Sequence, residues 1–180
     1  MSSRQMRWKW SRGLTAATML ALSAAVWAVD VEYQIKASYL YNFMQFVSFP
    51  QDSLAQEGQI KVCIVGVNRF GDALDEIDGA KAPQGKVVVR SLGRYRSNLP
   101  VHGCNVLFLS SSEERETERI LKLVDVREVL TISEYSPFID YGGLIELYQK
   151  DDSIRFRVNA SLVTETKFKV AAQLVQLGVE

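Results

Sequence analysis

The chain has 180 residues, and its 21 basic and 21 acidic residues give it a formal net charge of zero. It contains no internal repeat and no low-complexity tract. This balance excludes a strongly basic protein that binds nucleic acid or an anionic membrane surface.

The N-terminal segment has the organisation of a secretory signal peptide. A basic head with Arg4, Arg7, Lys9 and Arg12 precedes an uncharged apolar run over residues 13–26. Ala28 then supplies a small residue where a signal peptidase would cleave. The run is shorter than the roughly 20 residues that span a bilayer, although an uncleaved anchor remains the alternative. We therefore predict a signal peptide over residues 1–28 and a folded domain over residues 29–180 outside the cytoplasm.

Export limits the possible chemistry of the folded domain. Without the four basic residues of the leader, the domain has 17 basic and 21 acidic residues, and its surface is mildly acidic. Nucleotide cofactors and nucleic acid are not expected in the periplasm, so we predict no cofactor and no nucleic-acid partner. The remaining length corresponds to one domain with room for a hydrophobic core.

The first two thirds of the domain alternate between helices and continuously apolar strands. Helices are predicted at Glu32 to Val47, at Phe70 to Ile77 and from Ser111 or Ser112 to Val124; strands are predicted at Lys61 to Gly66, Lys86 to Leu92, Asn105 to Leu109 and Glu128 to Ile132. Proline at position 50 ends the first helix. This alternation predicts a single-domain α/β fold, Rossmann-like, with a mostly parallel sheet and helices on both faces.

The C-terminal third has a different pattern. Two strands, Leu144 to Tyr148 and Ile154 to Val158, are separated by a short polar segment and predict an antiparallel hairpin at the sheet edge. Asn159 or Ser161 is then expected to cap one final helix, which Gly178 ends.

The chain has two cysteines, Cys63 in the first predicted strand and Cys104 just before the third. These strands are often neighbours in a doubly wound sheet, which would bring the two Cα atoms within disulfide range. An oxidising compartment favours a disulfide, and the alternative is a pair of buried thiols.

Residues typical of an active site are missing from the sequence. His102 is the only histidine, so a metal site or a histidine-based triad lacks partners. Gly66 to Gly71 follows a strand as a phosphate loop would, but Asp72 and Ala73 stand where a lysine and a hydroxyl residue belong. We therefore predict that the protein is not an enzyme and holds no metal.

Six short blocks, taken in order, resemble a known family. They are residues 36–50 (KASYLYNFMQFVSFP), 63–71 (CIVGVNRFG), 104–110 (CNVLFLS), 129–133 (VLTIS), 142–145 (GGLI) and 154–159 (IRFRVN). In this order the blocks are similar to the YfiR/HmsC family of periplasmic regulators. The resemblance covers residues 36–177.

The resemblance implies a non-enzymatic protein that binds the periplasmic part of an inner-membrane diguanylate cyclase, or of a related sensor, and represses it. Cyclic-di-GMP synthesis and biofilm formation would rise when the repression is lifted. Dimerisation and cysteine redox state are implicated in the family, so a homodimer is a further option. Cys63 and Cys104 match the family's first cysteine pair, but the C-terminal pair of some members has no counterpart, which puts a two-disulfide switch in doubt. Membrane contact would occur only through the partner.

Two groups of residues are candidates for contact with that partner. The first helix carries more aromatic residues than one buried face requires, and we expect Tyr39, Tyr41 and Phe43 to contribute. The second group is Arg155 and Arg157 on the edge hairpin.

The alternative function is a periplasmic small-molecule sensor that acts with another membrane receptor or kinase. Gly66, Ser110 and Ser133 follow three predicted strands, at the sheet edge where open α/β folds bind ligands. Gly142 and Gly143 would form either a simple turn or a concavity lined by backbone.

Overall fold

The computed structural model describes residues 31–54 and 58–178. The predicted signal peptide lies outside these residues. Within them, every helix is too short or too polar to cross a bilayer.

Four α-helices and nine strands form the described fold. The helices are α1 over residues 31–46, α2 (Thr117–Leu121), α3 (Ala160–Val163) and α4 (Ala172–Gly178). The strands are β1 (Val47–Ser48), β2 (Gln59–Val65), β3 (Lys81–Ala82), β4 (Gly85–Gly93), β5 (Val106–Leu109), β6 (Leu130–Ser133), β7 (Ile145–Lys150), β8 (Ser153–Val158) and β9 (Lys169–Val170). Short 3-10 turns occur at Gln51–Ser53, Gly71–Leu74 and Ser111–Glu116.

Seven of the strands form one sheet in the order β3-β4-β2-β5-β6-β7-β8. The five strands from β4 to β7 pair in parallel, and the two outer strands, β3 and β8, pair antiparallel to their neighbours. The prediction of a mixed α/β fold with a mostly parallel sheet is confirmed. Continuous apolar runs indicated this arrangement because strands covered on both faces have no solvent-facing positions.

The side chains of the central strands divide into two cores, one on each face of the sheet. Phe108 points into the first core with α1, whereas Leu107 and Leu109 point into the second core, under α2. This division follows from the period of two along a strand. The sheet is therefore buried on both sides, and its strand ends define the edges where a site is expected.

The prediction of one long C-terminal helix is wrong. The segment instead forms α3 and α4, and between them β9 pairs antiparallel with β1, with Val170 opposite Val47. Phe168 is buried beside Phe49, at 5.6 Å between ring centroids, and this contact fixes the extended connection. The predicted cap is present, because Asn159 Oδ1 accepts the N–H of Leu162 at 3.0 Å.

Two further helices are shorter than predicted. The expected helix at Phe70 to Ile77 contains only the 3-10 turn Gly71–Leu74. The helix expected from Ser111 begins as the 3-10 turn Ser111–Glu116 and becomes α-helical only in α2. Both segments still bury apolar side chains against the sheet, although most of their turns are 3-10 rather than α-helical.

Candidate functional site

Cys63 and Cys104 are joined by a disulfide, with 5.9 Å between their Cα atoms. The bridge forms because β2 and β5 are adjacent parallel strands, and Cys104 lies two residues before β5 begins. Cys63 is 1% exposed and Cys104 is 4% exposed, whereas His102 lies on the surface. A reductant can reach this bridge only after local opening, so its position is that of a structural staple.

The three aromatic residues of α1 that were predicted as partner contacts make contacts within the domain. The Tyr39 hydroxyl donates to the carbonyl of Ile154 at 3.0 Å, and the Tyr41 hydroxyl donates to the carbonyl of Lys81 at 2.7 Å. Phe43 is 1% exposed and packs against Phe156, with 5.2 Å between ring centroids. Phe43 is therefore buried, whereas Tyr39 and Tyr41 are partly exposed, and a partner contact by these three residues stays a prediction.

The second group of predicted contacts lies on the outer strand β8. Arg157 bonds to Glu146, whose side chain is 1% exposed, and its Nη2 also donates to Ser136 Oγ at 3.2 Å. Its guanidinium lies 5.0 Å from the centroid of the Tyr148 ring. The hydrogen bond to Glu146 raises the pKa of Arg157. Arg157 is therefore a fixed cation with 44% of its side chain exposed, and Arg155 is exposed on the same face of the strand.

A cavity of about 260 Å³ adjoins this arginine. Polar and small residues line it, namely Ser136, Asp140, Glu146, Arg157, Ala160 and Gly178 among others. None of the five predicted ligand residues lines this cavity. The cavity is lined by both the buried carboxylate of Glu146 and the guanidinium of Arg157.

A buried ion pair lies at the carboxyl edge of the sheet, and no local feature of the sequence predicts it. Lys36 of α1 lies 2.7 Å from Glu134 Oε2 and 2.5 Å from Glu32 Oε1. The side chains of Lys36 and Glu134 are 7% and 2% exposed. The Lys36 ammonium also lies 4.4 Å from the ring centroid of Tyr33. This cluster attaches the start of α1 to the end of β6.

Three titratable groups of this cluster, Glu134, Lys36 and Tyr33, have shifted pKa values. Burial alone would raise the pKa of Glu134, but the hydrogen bonds from Lys36 and from the Ser111 backbone outweigh it and lower the pKa. Burial alone would lower the pKa of Lys36, but its bonds to Glu134 and Glu32 raise it. Burial, aided by the charge of Glu134, raises the pKa of Tyr33. Near neutral pH the pair is therefore ionised and mutually stabilised.

The structure brings three of the predicted ligand residues, Gly66, Ser110 and Ser133, together at this edge, but the polar atoms of the two serines are already engaged. Ser110 Oγ donates to Glu134 Oε1 at 3.2 Å, and Ser133 Oγ accepts the N–H of Tyr135 at 3.3 Å. A Cβ on Gly66 would lie 2.9 Å from the Cβ of Ser110, which explains why glycine is needed there.

The Gly142–Gly143 turn lies beside Phe138 rather than beside Gly66. Gly142 has φ +91°, and a side chain at Gly143 would overlap the Phe138 ring. A ligand role for these five glycine and serine residues stays a prediction.

In the part of the chain that the structure describes, no cluster of histidine, cysteine, aspartate or glutamate side chains is arranged to hold a metal ion. Fold and site together define a disulfide-stapled α/β domain whose most prominent polar features are internal ion pairs and an exposed arginine edge.

The YfiR/HmsC-like family model matches residues 33–179, and the chain belongs to this family. Membership implies a periplasmic, non-catalytic regulator in cyclic-di-GMP signalling.

Proposed function

We propose that this protein binds the periplasmic domain of an inner-membrane diguanylate cyclase and holds the enzyme inactive. The observation that carries the proposal is the family match over nearly the whole domain. Loss of the complex would then raise cyclic-di-GMP synthesis and favour biofilm formation.

The exposed arginines of β8 are the contact that we assign to the partner. Arg157 is held by Glu146 and Ser136, so little side-chain entropy is lost when a partner carboxylate binds it. Arg155 projects from the same face two residues earlier. A partner segment with acidic side chains would complement this edge, and Tyr39, which bonds to the carbonyl of Ile154, lies beside it.

Capture of the mature protein's partner from inner membranes tests this proposal. We expect a diguanylate cyclase to be captured by the mature protein. Captured material that contains no membrane sensor would contradict the proposal. Because both cysteines of the staple are buried, we expect recovery to continue in mild reductant that leaves the fold intact. Recovery only from the non-reduced sample would indicate a complex that depends on the disulfide.

A charge reversal tests the arginine edge itself. Arg155→Glu should weaken capture by about tenfold or more, because it places like charge against an acidic partner. Arg115→Glu is the matched control, since Arg115 is also exposed but lies on the Ser111–Glu116 turn. Equal capture by both variants would remove β8 from the interface.

The cavity beside Arg157 supports a second candidate function, a periplasmic sensor of small molecules. Its volume of about 260 Å³ is slightly below the usual range of ligand pockets, which suits a small ligand, and it combines the charged groups of Glu146 and Arg157. Thermal unfolding of the mature protein across a panel of polar metabolites tests this candidate. A saturable rise in melting temperature that Arg157→Gln abolishes would favour it.

A further inference from the structure

The strand β4 has an outer edge that is only partly covered. Its inner edge pairs in parallel with β2 from Lys86 to Gly93. On the outer side, the short strand β3 lies opposite only Gly85 and Lys86. Among the residues that the structure describes, no strand lies opposite residues 88–93 on that side. We call this stretch of β4 the open edge.

The hydrogen bonds beside the open edge show which backbone groups face outward. The N–H of Val87 donates to the carbonyl of Ala80 at 2.9 Å, and the carbonyl of Val87 accepts the N–H of Gly79 at 2.8 Å. Every second residue of a strand directs its backbone groups to the same side. Val89 follows this rule, because its N–H donates to Asp78 Oδ1 at 2.8 Å.

Three backbone groups come next on the outer side. They are the carbonyl of Val89 and both the N–H and the carbonyl of Ser91, and no described strand lies opposite them. Ser91 is exposed, so an incoming segment can reach these groups. An unpaired edge of this kind is a template for a further strand.

The sequence around the open edge carries charge of one sign. Residues 79–112 contain five basic residues and no acidic residue, although the whole chain has as many acidic as basic residues. All five are exposed, and none forms an ion pair within the described part of the chain; they are Lys81, Lys86, Arg90, Arg94 and Arg96. This surface therefore attracts negative charge.

Charge on an edge strand also prevents two copies of the edge from pairing. A second copy of β4 would place its own basic residues against these and be repelled. The same charges thus exclude self-pairing at this edge and favour a segment with acidic side chains.

The side chains of the open edge indicate the pattern of that segment. Val88, Arg90 and Leu92 alternate along β4, with the exposed arginine between two partly buried apolar residues. An added strand would place its own side chains opposite these three. An acidic residue between two apolar ones, at every second position, complements them. We propose that the open edge of β4 binds an extended, acidic segment of a protein partner as an additional strand.

This site is separate from the arginines of β8. Four strands lie between β4 and β8 in the sheet, which corresponds to roughly 24 Å. Two protein segments can therefore occupy the two edges at once. Three backbone hydrogen bonds and one or two arginine contacts make a small interface, so we expect a dissociation constant of about 0.1 mM for an isolated peptide.

A designed peptide tests strand addition to the mature protein. The probe is the labelled peptide TVTETVTE, in which valine and glutamate alternate on one face, and fluorescence polarisation measures its binding. We expect saturable binding that weakens about tenfold or more when lysine replaces both glutamates. N-methylation of every backbone amide of the peptide should weaken binding as much, because it removes the donors and keeps the charge. No saturable binding of the probe, or unchanged binding after N-methylation, would overturn the proposal.

A proline in β4 tests the backbone contact from the side of the protein. Ser91→Pro removes an outward N–H that the fold does not use, and it should weaken peptide binding by about tenfold or more. Ser97→Pro is the matched control, since Ser97 is exposed in the turn where the N–H of Leu99 donates to the carbonyl of Arg96. Equal peptide binding by the two variants, both shown to be folded by thermal unfolding, would overturn the proposal.

A charge reversal tests the choice of partner. Arg90→Glu should make the lysine peptide bind more tightly than the glutamate peptide, whereas Arg115→Glu, outside the basic segment, should leave the preference unchanged. Sedimentation with phosphatidylglycerol vesicles tests anionic lipid as the other possible partner. Vesicle binding that Arg90→Glu abolishes, without peptide binding, would overturn the proposal and assign the basic residues to a membrane surface. The peptide measurements need no cyclase, so their failure is distinguishable from failure of the proposed repression.

Discussion

The two faces of the central sheet are stabilised by different means. One face is covered by α1 and carries a core of 26 buried hydrophobic residues among those described. The other face is covered by the short α2 and irregular segments, and its core has 11. The disulfide between Cys63 and Cys104 belongs to the second face. The difference teaches that a covalent link supplements packing where few helical turns cover the sheet.

The largest loss of stability is expected from a substitution in the core under α1, because that face of the sheet is stabilised mainly by packing. Phe43→Ala removes a ring in the last turn of α1 that contacts Phe156 and Tyr39. We expect the free energy of unfolding to fall by about 3–5 kcal/mol. Urea unfolding of the variant beside the wild type measures this, and a loss below about 1 kcal/mol would show that α1 contributes little to the first core.

The disulfide between Cys63 and Cys104 should contribute almost as much to the free energy of unfolding as the Phe43 side chain does. The bridge closes a loop with a sequence separation of 41. The chain-entropy model gives about 4 kcal/mol for a loop of this length, before any strain is subtracted. The double variant Cys63→Ala, Cys104→Ala should therefore lose about 2–4 kcal/mol in urea unfolding. A wild-type stability that does not change on full reduction would contradict the structural role of the bridge.

The buried Lys36–Glu134 ion pair attaches α1 to the carboxyl edge of the sheet. Removing one residue leaves the other as a buried charge without its counter-ion. In Lys36→Met, Glu134 keeps its bonds from Ser110 and Ser111 but loses its cation. We expect a loss of about 3 kcal/mol, near the lower end for a broken buried pair. Adding Glu134→Gln to this variant should recover part of that stability, because it removes the buried carboxylate that has lost its counter-ion. A double variant less stable than Lys36→Met would contradict this account.

The same pair predicts how stability depends on acid. The pKa of Glu134 in the folded protein lies below its ordinary value. Its contribution is therefore fully present above the ordinary glutamate pKa and is lost as the pH falls through the folded pKa. Unfolding free energies measured from neutral to acidic pH should fall less steeply in Glu134→Gln than in the wild type. Parallel curves would show that Glu134 has no part in the acid sensitivity.

The central strands of the sheet could be predicted from the sequence, but two long-range contacts, the Lys36–Glu134 ion pair and the pairing of β9 with β1, could not. Apolar runs such as Val106–Leu109 report burial directly, and the neighbouring positions of β2 and β5 made the disulfide foreseeable. The Lys36–Glu134 pair joins residues 98 positions apart, and nothing local distinguishes these two from surface charges. The pairing of β9 with β1 is similarly remote, and it divided a segment whose own pattern indicated one helix.

The smallest effect concerns the joint between α1 and the sheet edge at β8. Tyr39→Phe removes only the hydroxyl that donates to the carbonyl of Ile154 and leaves the ring against Phe156. We expect a loss of about 1 kcal/mol, because this carbonyl is partly buried and loses its donor. Tyr41→Phe is the matched control, since its hydroxyl bond to Lys81 is exposed and water can replace it. A larger loss in Tyr41→Phe than in Tyr39→Phe would mean that α1 is held at the β3 edge of the sheet rather than at β8, which carries the two arginines that we propose as partner contacts.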